Sequence, residues 1–207
     1  MKIMIINPDC GVTEEAMALR CRILQQYVAQ DTELYMACPQ NSGVEINSAL
    51  DVALAAPEIV NIAVDAQNAG FDAVVLYCFS DPAIDACREA LRIPVIGGAQ
   101  AACLSALNVC RSFGVMLADE LRLPEKKRFL RTLGVDPSCI AQIAAADMRG
   151  VDPWQNRELA LARLAECGQQ MVAEGAEAIV LGCLSFLGLA QPLAEVLGVP
   201  VIDPAVA

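Results

Sequence analysis

Gly70-Phe71-Asp72-Ala73-Val74-Val75-Leu76-Tyr77-Cys78 returns later in the chain as Gly175-Ala176-Glu177-Ala178-Ile179-Val180-Leu181-Gly182-Cys183. The two glycines are 105 residues apart, and so are the two cysteines. Each copy reads glycine, a small or aromatic residue, an acid, alanine, an apolar run and then cysteine. A helix-ending glycine followed by a short apolar run with β-branched residues reads as a buried strand of a parallel sheet. The cysteine falls where that strand stops. In open α/β sheets, ligands sit outside the carboxyl ends of the strands. Two equivalent half-chains, each delivering one thiol to a shared cleft, are therefore expected.

The rest of the chain fits a duplicated pattern. Lys2 to Ile6 reads as a first strand, ending at Asn7-Pro8. Thr13-Glu14-Glu15 looks like a helix start with acids in the first turn, and the helix runs to about Ala29. Glu33 to Ala37 suits a second strand. Cys38 to Ser48 is polar and aperiodic, a long loop of the kind that is usually functional in compact domains. A helix from Ala53 to Asn68 closes at Gly70, and strand 72–77 follows. Asp81 is placed to cap a third helix with Pro82 at its first position, running to about Leu91. Ile93-Pro94-Val95-Ile96 is a fourth strand.

Ala99 to Cys110 reads as a crossing helix, after which the pattern restarts. The second half reads as strands at 112–117, 139–144, 177–181 and 199–202, with helices at 124–133, 156–174 and 187–197. Val199-Pro200-Val201-Ile202 answers Ile93-Pro94-Val95-Ile96. The fold class is α/β: two duplicated, pseudo-twofold-related lobes, each a four-stranded, mainly parallel sheet flanked by helices. The lobes are 1–98 and 99–207, with the active site expected in the cleft between them. By the duplication, a helix mirroring Ala99 to Cys110 should follow Asp203-Pro204, and the chain stops at Ala207 where it would begin.

Composition narrows the function. Of the 207 residues, 56% are hydrophobic, carried by the aliphatics that sheets buried on both faces require. A net charge of −11 with no long basic run argues against nucleic acid as a partner. No apolar run approaches the roughly 20 residues that span a bilayer, and Met1 to Ile6 is too short for a signal-peptide core, so no membrane role and a cytoplasmic location are expected. The apolar helix faces permit a homo-oligomer. There is no histidine, which removes Ser-His-Asp and Cys-His catalysis and every zinc site that uses histidine. None of the ten cysteines forms C-x-x-C, so no metal site is indicated and most read as core residues in a reducing compartment.

Cys78 and Cys183 stand apart because they form a matched pair. Cys78 precedes the expected helix start at Asp81-Pro82, where exposed N–H groups and the dipole favour a thiolate; Cys183 has only Ser185 as a nearby cap. If the halves pack about a pseudo-twofold axis, a molecule held between them meets one sulfur on each face. That suits a two-base racemase or epimerase, with one thiolate taking the α-proton and the opposite thiol returning one.

The chain resembles the hydantoin/allantoin racemase family of the aspartate/glutamate racemase superfamily. The resemblance is carried by Ile5-Ile6-Asn7-Pro8, by Ile46-Asn47-Ser48 with Asp51, by Asp72 to Pro82 including Cys78-Phe79-Ser80-Asp81-Pro82, by Pro94-Val95-Ile96-Gly97, by Leu181-Gly182-Cys183 and by Pro200-Val201-Ile202-Asp203-Pro204. It implies a racemase that needs no cofactor, with Cys78 and Cys183 as the catalytic pair acting on a small-molecule substrate. By the same resemblance Asn7 would hold a substrate polar group. The backbone N–H groups of Phe79, Ser80 and Leu184 would bind carbonyl or carboxylate oxygens. Ser42 and Ser48 would lie in the loop that covers the substrate.

The chain departs from the family at Gly98-Ala99-Gln100, at Cys38-Pro39 and at Leu184-Ser185-Phe186-Leu187, where Phe186 is expected to narrow the pocket. The absence of histidine leans the substrate toward a hydantoin- or allantoin-like cyclic ureide, whose α-proton is more acidic. An amino-acid racemase, another isomerase or decarboxylase of the superfamily, and a non-catalytic small-ligand binding protein remain as alternatives.

Overall fold

The computed structural model describes residues 1–207. The chain divides into two compact units, Met1–Gly98 and Ala99–Ala207. The first unit runs β1 (Lys2–Ile6), α1 (Glu14–Leu24), β2 (Glu33–Ala37), α2 (Ala49–Asn68), β3 (Ala73–Leu76), α3 (Ile84–Ala90) and β4 (Val95–Gly97). The sheet order is β2-β1-β3-β4, and every pairing is parallel. After α4 (Gly98–Ala106), the second unit repeats this plan. Its elements are β5 (Phe113–Leu117), α5 (Leu123–Phe129), β6 (Ile140–Ala145), α6 (Arg157–Ala173), β7 (Ala178–Leu181), α7 (Ala190–Leu197) and β8 (Val201–Ile202). Its order is β6-β5-β7-β8, again all parallel.

The repeated stretch is the joint on which both units turn. At the end of α2 the Gly70 amide donates to Gln67 O (3.0 Å) and the Phe71 amide to Ala66 O (3.1 Å), with Gly70 at φ +81°. At the end of α6 the Gly175 amide donates to Val172 O and the Ala176 amide to Met171 O, both at 3.0 Å, with Gly175 at φ +105°. This paired bonding closes a helix only when the residue after the cap adopts a left-handed conformation, which costs glycine least. The acid that follows ties each new strand to its neighbour. Asp72 Oδ2 accepts from Lys2 N at 2.6 Å, and Glu177 Oε2 accepts from Arg111 N at 2.9 Å. The apolar run then enters the centre of the sheet, where Val74, Leu76, Ile179 and Leu181 are fully buried. Each such side chain contributes about 1.5–3 kcal/mol of burial.

Several boundaries differ from the sequence reading. Helix α2 begins at Ala49 rather than Ala53, because Ser48 Oγ accepts from Asp51 N (3.2 Å) and donates to Asp51 Oδ2 (2.7 Å). That reciprocal cap starts the helix four residues early. Helix α1 gives way at Leu24 to a 3-10 turn at Gln25–Tyr27, short of Ala29. Helix α4 stops at Ala106, short of Cys110. Helix α3 begins at Ile84 with Ala83 as its N-cap in the left-handed region and no side-chain cap bond, so Asp81-Pro82 does not open it. Asp81 itself has φ +41° and is 3% exposed. Its carboxylate fills the space beside Gly97 that a Cβ there would need. After β8, Asp203 Oδ1 accepts from Ala205 N (2.9 Å) and Asp203 O accepts from Ala207 N (3.1 Å), closing a turn.

Candidate active site

Both units reverse the direction of strand winding between their two central strands, β1 and β3 in one, β5 and β7 in the other. Clefts for ligands form at such switch points, outside the carboxyl ends. The paired cysteines lie there. Leu76 is the partner of Ile6 and Leu181 the partner of Met116. One residue further on, the Tyr77 amide donates to Ile6 O at 2.8 Å and the Gly182 amide to Met116 O at 2.7 Å. Cys78 and Cys183 each come next, both half-buried. The two thiols thus hold equivalent positions, two residues past the end of an equivalent strand.

In the first unit, Asn7 follows β1 and is 3% exposed. Its amide donates to Ala37 O (2.9 Å) and its Oδ1 accepts from Asp9 N (3.2 Å). Asp9 Oδ1 in turn accepts from Ile46 N (2.8 Å), and the Cys10 and Gly11 amides donate to Val44 O and Pro39 O. The segment after β1 is therefore stitched to the loop after β2. That loop is also gripped from α2. The Glu58 carboxylate accepts from the consecutive amides of Gln40 (2.6 Å), Asn41 (3.1 Å) and Ser42 (3.0 Å). The Gln40 amide, foremost among these donors, holds the Glu58 carboxyl below its ordinary range. Ser42 Oγ is enclosed and makes no hydrogen bond. The Ser48 hydroxyl is committed to the cap of α2. Phe79 and Ser80 are buried in the turn after Cys78, where Cys78 O accepts from Asp81 N (3.2 Å).

Because α3 starts only at Ile84, Cys78 lies outside the first helical turn, where a dipole acts. Cys183 is the residue with a cap position, at the head of a 3-10 turn spanning Leu184–Phe186. Its Sγ lies 2.9 Å from Ser185 Oγ. Leu184 is buried beside it. Phe186, expected to narrow a pocket, is instead fully buried in the core of the second unit with Met116, Leu181 and Leu193. The tight turn rotates its ring inward. The segment beyond is anchored twice. Gly188 N donates to Asp203 Oδ2 (2.9 Å), and the Arg157 guanidinium donates to Leu187 O (3.4 Å). Burial pushes the Asp203 carboxyl up, against the Gly188 and Ala205 amides and the Arg157 charge, which draw it down.

The units differ at one informative position. By strand register Asn7 corresponds to Leu117, which is buried in β5. The first unit supplies a thiol, a carboxamide and the hydroxyls of Ser42 and Ser80; the second supplies a thiol and the Ser185 hydroxyl. Sequence reasoning named Ser185 only as a nearby cap, whereas its hydroxyl lies against the Cys183 sulfur, and a signal for that pairing is present. Cys78-Phe79-Ser80 and Cys183-Leu184-Ser185 repeat the order cysteine, apolar, serine at the same 105-residue interval. Glu58 and Asp203 were missed because their partners are distant in sequence. No group of three or more Cys, Asp or Glu side chains is arranged to hold a metal ion, and no helix is long and apolar enough to cross a membrane.

The chain is a duplicated parallel α/β fold with one cysteine at the switch point of each unit, and comparison with known proteins places it in a family. Residues 3–207 match the Asp/Glu/Hydantoin racemase family. The chain belongs to that family, and it is an isomerase of the racemase type. It is 32% identical over 210 residues to a hydantoin racemase of Paenarthrobacter aurescens, covering 99% of this chain and 86% of that protein. It is 30% identical over 207 residues to a hydantoin racemase of Rhizobium meliloti, covering 98% and 83%. Among solved structures, an allantoin racemase from Klebsiella pneumoniae superposes with a TM-score of 0.85 at 28% identity, covering 100% of this chain and 84% of that one. A glutamate racemase from Francisella tularensis shares the fold alone, with a TM-score of 0.67 at 15% identity over 99% of this chain and 76% of that one.

Proposed function

We propose that the chain racemises a small chiral compound of the hydantoin or allantoin class, a cyclic ureide, with Cys78 and Cys183 as its two catalytic bases. One thiolate removes the proton from the α-carbon, and the C–H electron pair passes into an enolate on the adjacent carbonyl. The other sulfur, as a thiol, delivers its proton to the opposite face. The enzyme ends the turnover with the roles of the two sulfurs exchanged, and no cofactor is consumed. Asn7 and Ser42 offer an amide and a hydroxyl to the ring's polar groups. The N–H groups of Phe79, Ser80 and Leu184 receive the developing oxyanion, and Ser48 supports the loop from its cap position. Such preorganised donors are the usual source of enolate stabilisation. The same reading puts the enzyme in the cytoplasm, where ten free thiols stay reduced.

The observation that carries this is the equivalence of the two thiols, each two residues beyond the matching strand of its unit. The substrate class rests on the full-length similarity to hydantoin racemases. The test is α-proton exchange followed by NMR in D2O, with both enantiomers of several hydantoins, allantoin, aspartate and glutamate. The wild type should racemise one cyclic ureide. Cys78→Ser and Cys183→Ser should each abolish racemisation while retaining exchange with opposite enantiomers. Racemisation that survives either substitution would sink the two-thiol mechanism. Turnover of aspartate or glutamate alone would sink the substrate class.

A further inference from the structure

We propose that Ser185 is a positioning residue for Cys183, holding its sulfur through both protonation states of the catalytic cycle. This rests on the reading of Cys183 as a catalytic thiol. The geometry is direct: Ser185 Oγ lies 2.9 Å from Cys183 Sγ, and either atom can be the donor. A hydroxyl both donates and accepts. It accepts from the S–H when Cys183 is the acid, and it turns to donate to the sulfur when Cys183 is the thiolate. Neither an amide N–H nor a carboxylate can serve both states, so a hydroxyl fits a residue that alternates between acid and base.

The backbone around Ser185 keeps that hydroxyl in place. The residue is the centre of the 3-10 turn, between Leu184 and Phe186, which are both buried. The Phe186 amide donates to Cys183 O (3.2 Å), closing the turn on the cysteine itself. Asp203 and Arg157 then fix the residues that follow, through Gly188 N and Leu187 O. The turn is thus anchored at both ends, and the serine has little freedom to leave the sulfur. With no histidine in the chain, this hydroxyl is the only side-chain hydrogen-bonding partner of the Cys183 sulfur.

The test compares Ser185→Ala with Ser185→Thr, which keeps the hydroxyl on a half-exposed side chain. Labelling of each cysteine by iodoacetamide at pH 7 is followed by peptide mass spectrometry, beside racemisation kinetics. Thiolate is the species alkylated. Losing a hydrogen-bond donor to the thiolate should slow Cys183 labelling about threefold to tenfold in Ser185→Ala. Cys78 labelling should hold, kcat/KM should fall by a similar factor, and Ser185→Thr should restore both. A serine that merely braced the turn would act with the opposite sign, since a loosened turn exposes the sulfur and speeds labelling. Unchanged or faster Cys183 labelling in Ser185→Ala overturns the proposal. Full racemase activity in Cys183→Ser overturns the reading beneath it, and that result comes from a separate variant.

Discussion

Replacing Gly182 with alanine tests how tightly the strand that carries Cys183 is held. Gly182 takes no left-handed conformation, so the substitution probes space alone. A Cβ there would lie 2.6 Å from Leu117 Cδ2 and 2.8 Å from Met116 O, the carbonyl to which the Gly182 amide already donates at 2.7 Å. Leu117 can rotate, but the carbonyl belongs to a central strand and cannot. Overpacking of this kind costs about 1–3 kcal/mol, and weakening the strand-end hydrogen bond adds about 1 kcal/mol. For a chain of this size, a total of about 2–4 kcal/mol lowers Tm by on the order of 10 °C. Relief has to come from movement of the β7 end, which carries Cys183 with it. With Cys183 in the role proposed for it, a displacement near 1 Å at its sulfur is worth about a hundredfold in rate.

The assay is thermal unfolding by circular dichroism beside kcat/KM at 25 °C. Gly175→Ala is the control. It meets nothing within 4 Å but sits at φ +105°, so it should lose about 1–2 kcal/mol of stability with kcat/KM intact. A Gly182→Ala protein with wild-type Tm and wild-type kcat/KM would refute the claim that this close approach sets the thiol.

Three further outcomes follow from the same geometry. Glu58→Ala should speed hydrogen–deuterium exchange of the Gln40, Asn41 and Ser42 amides and raise KM, because the loop after β2 loses its grip. In the wild type the folded-state carboxyl is lowered below its ordinary value of 4.5, so the grip is complete above that pH and is released as pH falls through the lowered value. Exchange in the loop that is equal at pH 7 and at pH 3, after correction for intrinsic rates, would count against this. Asp203 is raised by burial. Its contribution to stability is therefore full below its unfolded value of 3.8 and is lost as pH climbs through the folded one. The wild type should accordingly gain Tm relative to Asp203→Asn as pH is lowered from 7 toward 4; a constant difference would argue against it. Cys167, pushed up to about 11 chiefly by burial, should resist iodoacetamide at pH 8 and react only near pH 11, as read from its tryptic peptide.

Much of the fold was legible because the duplication is written in local chemistry. Gly70 and Gly175 end helices, acids follow them, and β-branched runs follow those, so strand and helix types came out correctly in both halves. What was not legible depended on partners far along the chain. The late start of α3 reflects Asp81 turning its carboxylate into the space beside Gly97, a tertiary contact that overrides the Asp-Pro start signal. The early start of α2 was readable as Ser48-x-x-Asp51 but competed with a polar loop composition. Phe186 looked like a pocket residue because it follows Cys183 closely, and only the 3-10 turn reveals that its ring faces the core. The contacts of Glu58 with residues 40–42 and of Asp203 with Gly188 leave no local pattern.

The exchange of Asn7 for Leu117 at matching register positions bears on the history of such a chain. A half-length ancestor that worked as a pair of identical copies would carry one residue at both places, since a single gene specifies both. Joining the halves end to end removes that constraint. One half can then keep a polar anchor while the other gives the position to its core. The helix-closing joint is kept in both halves, and the position after the first strand is not.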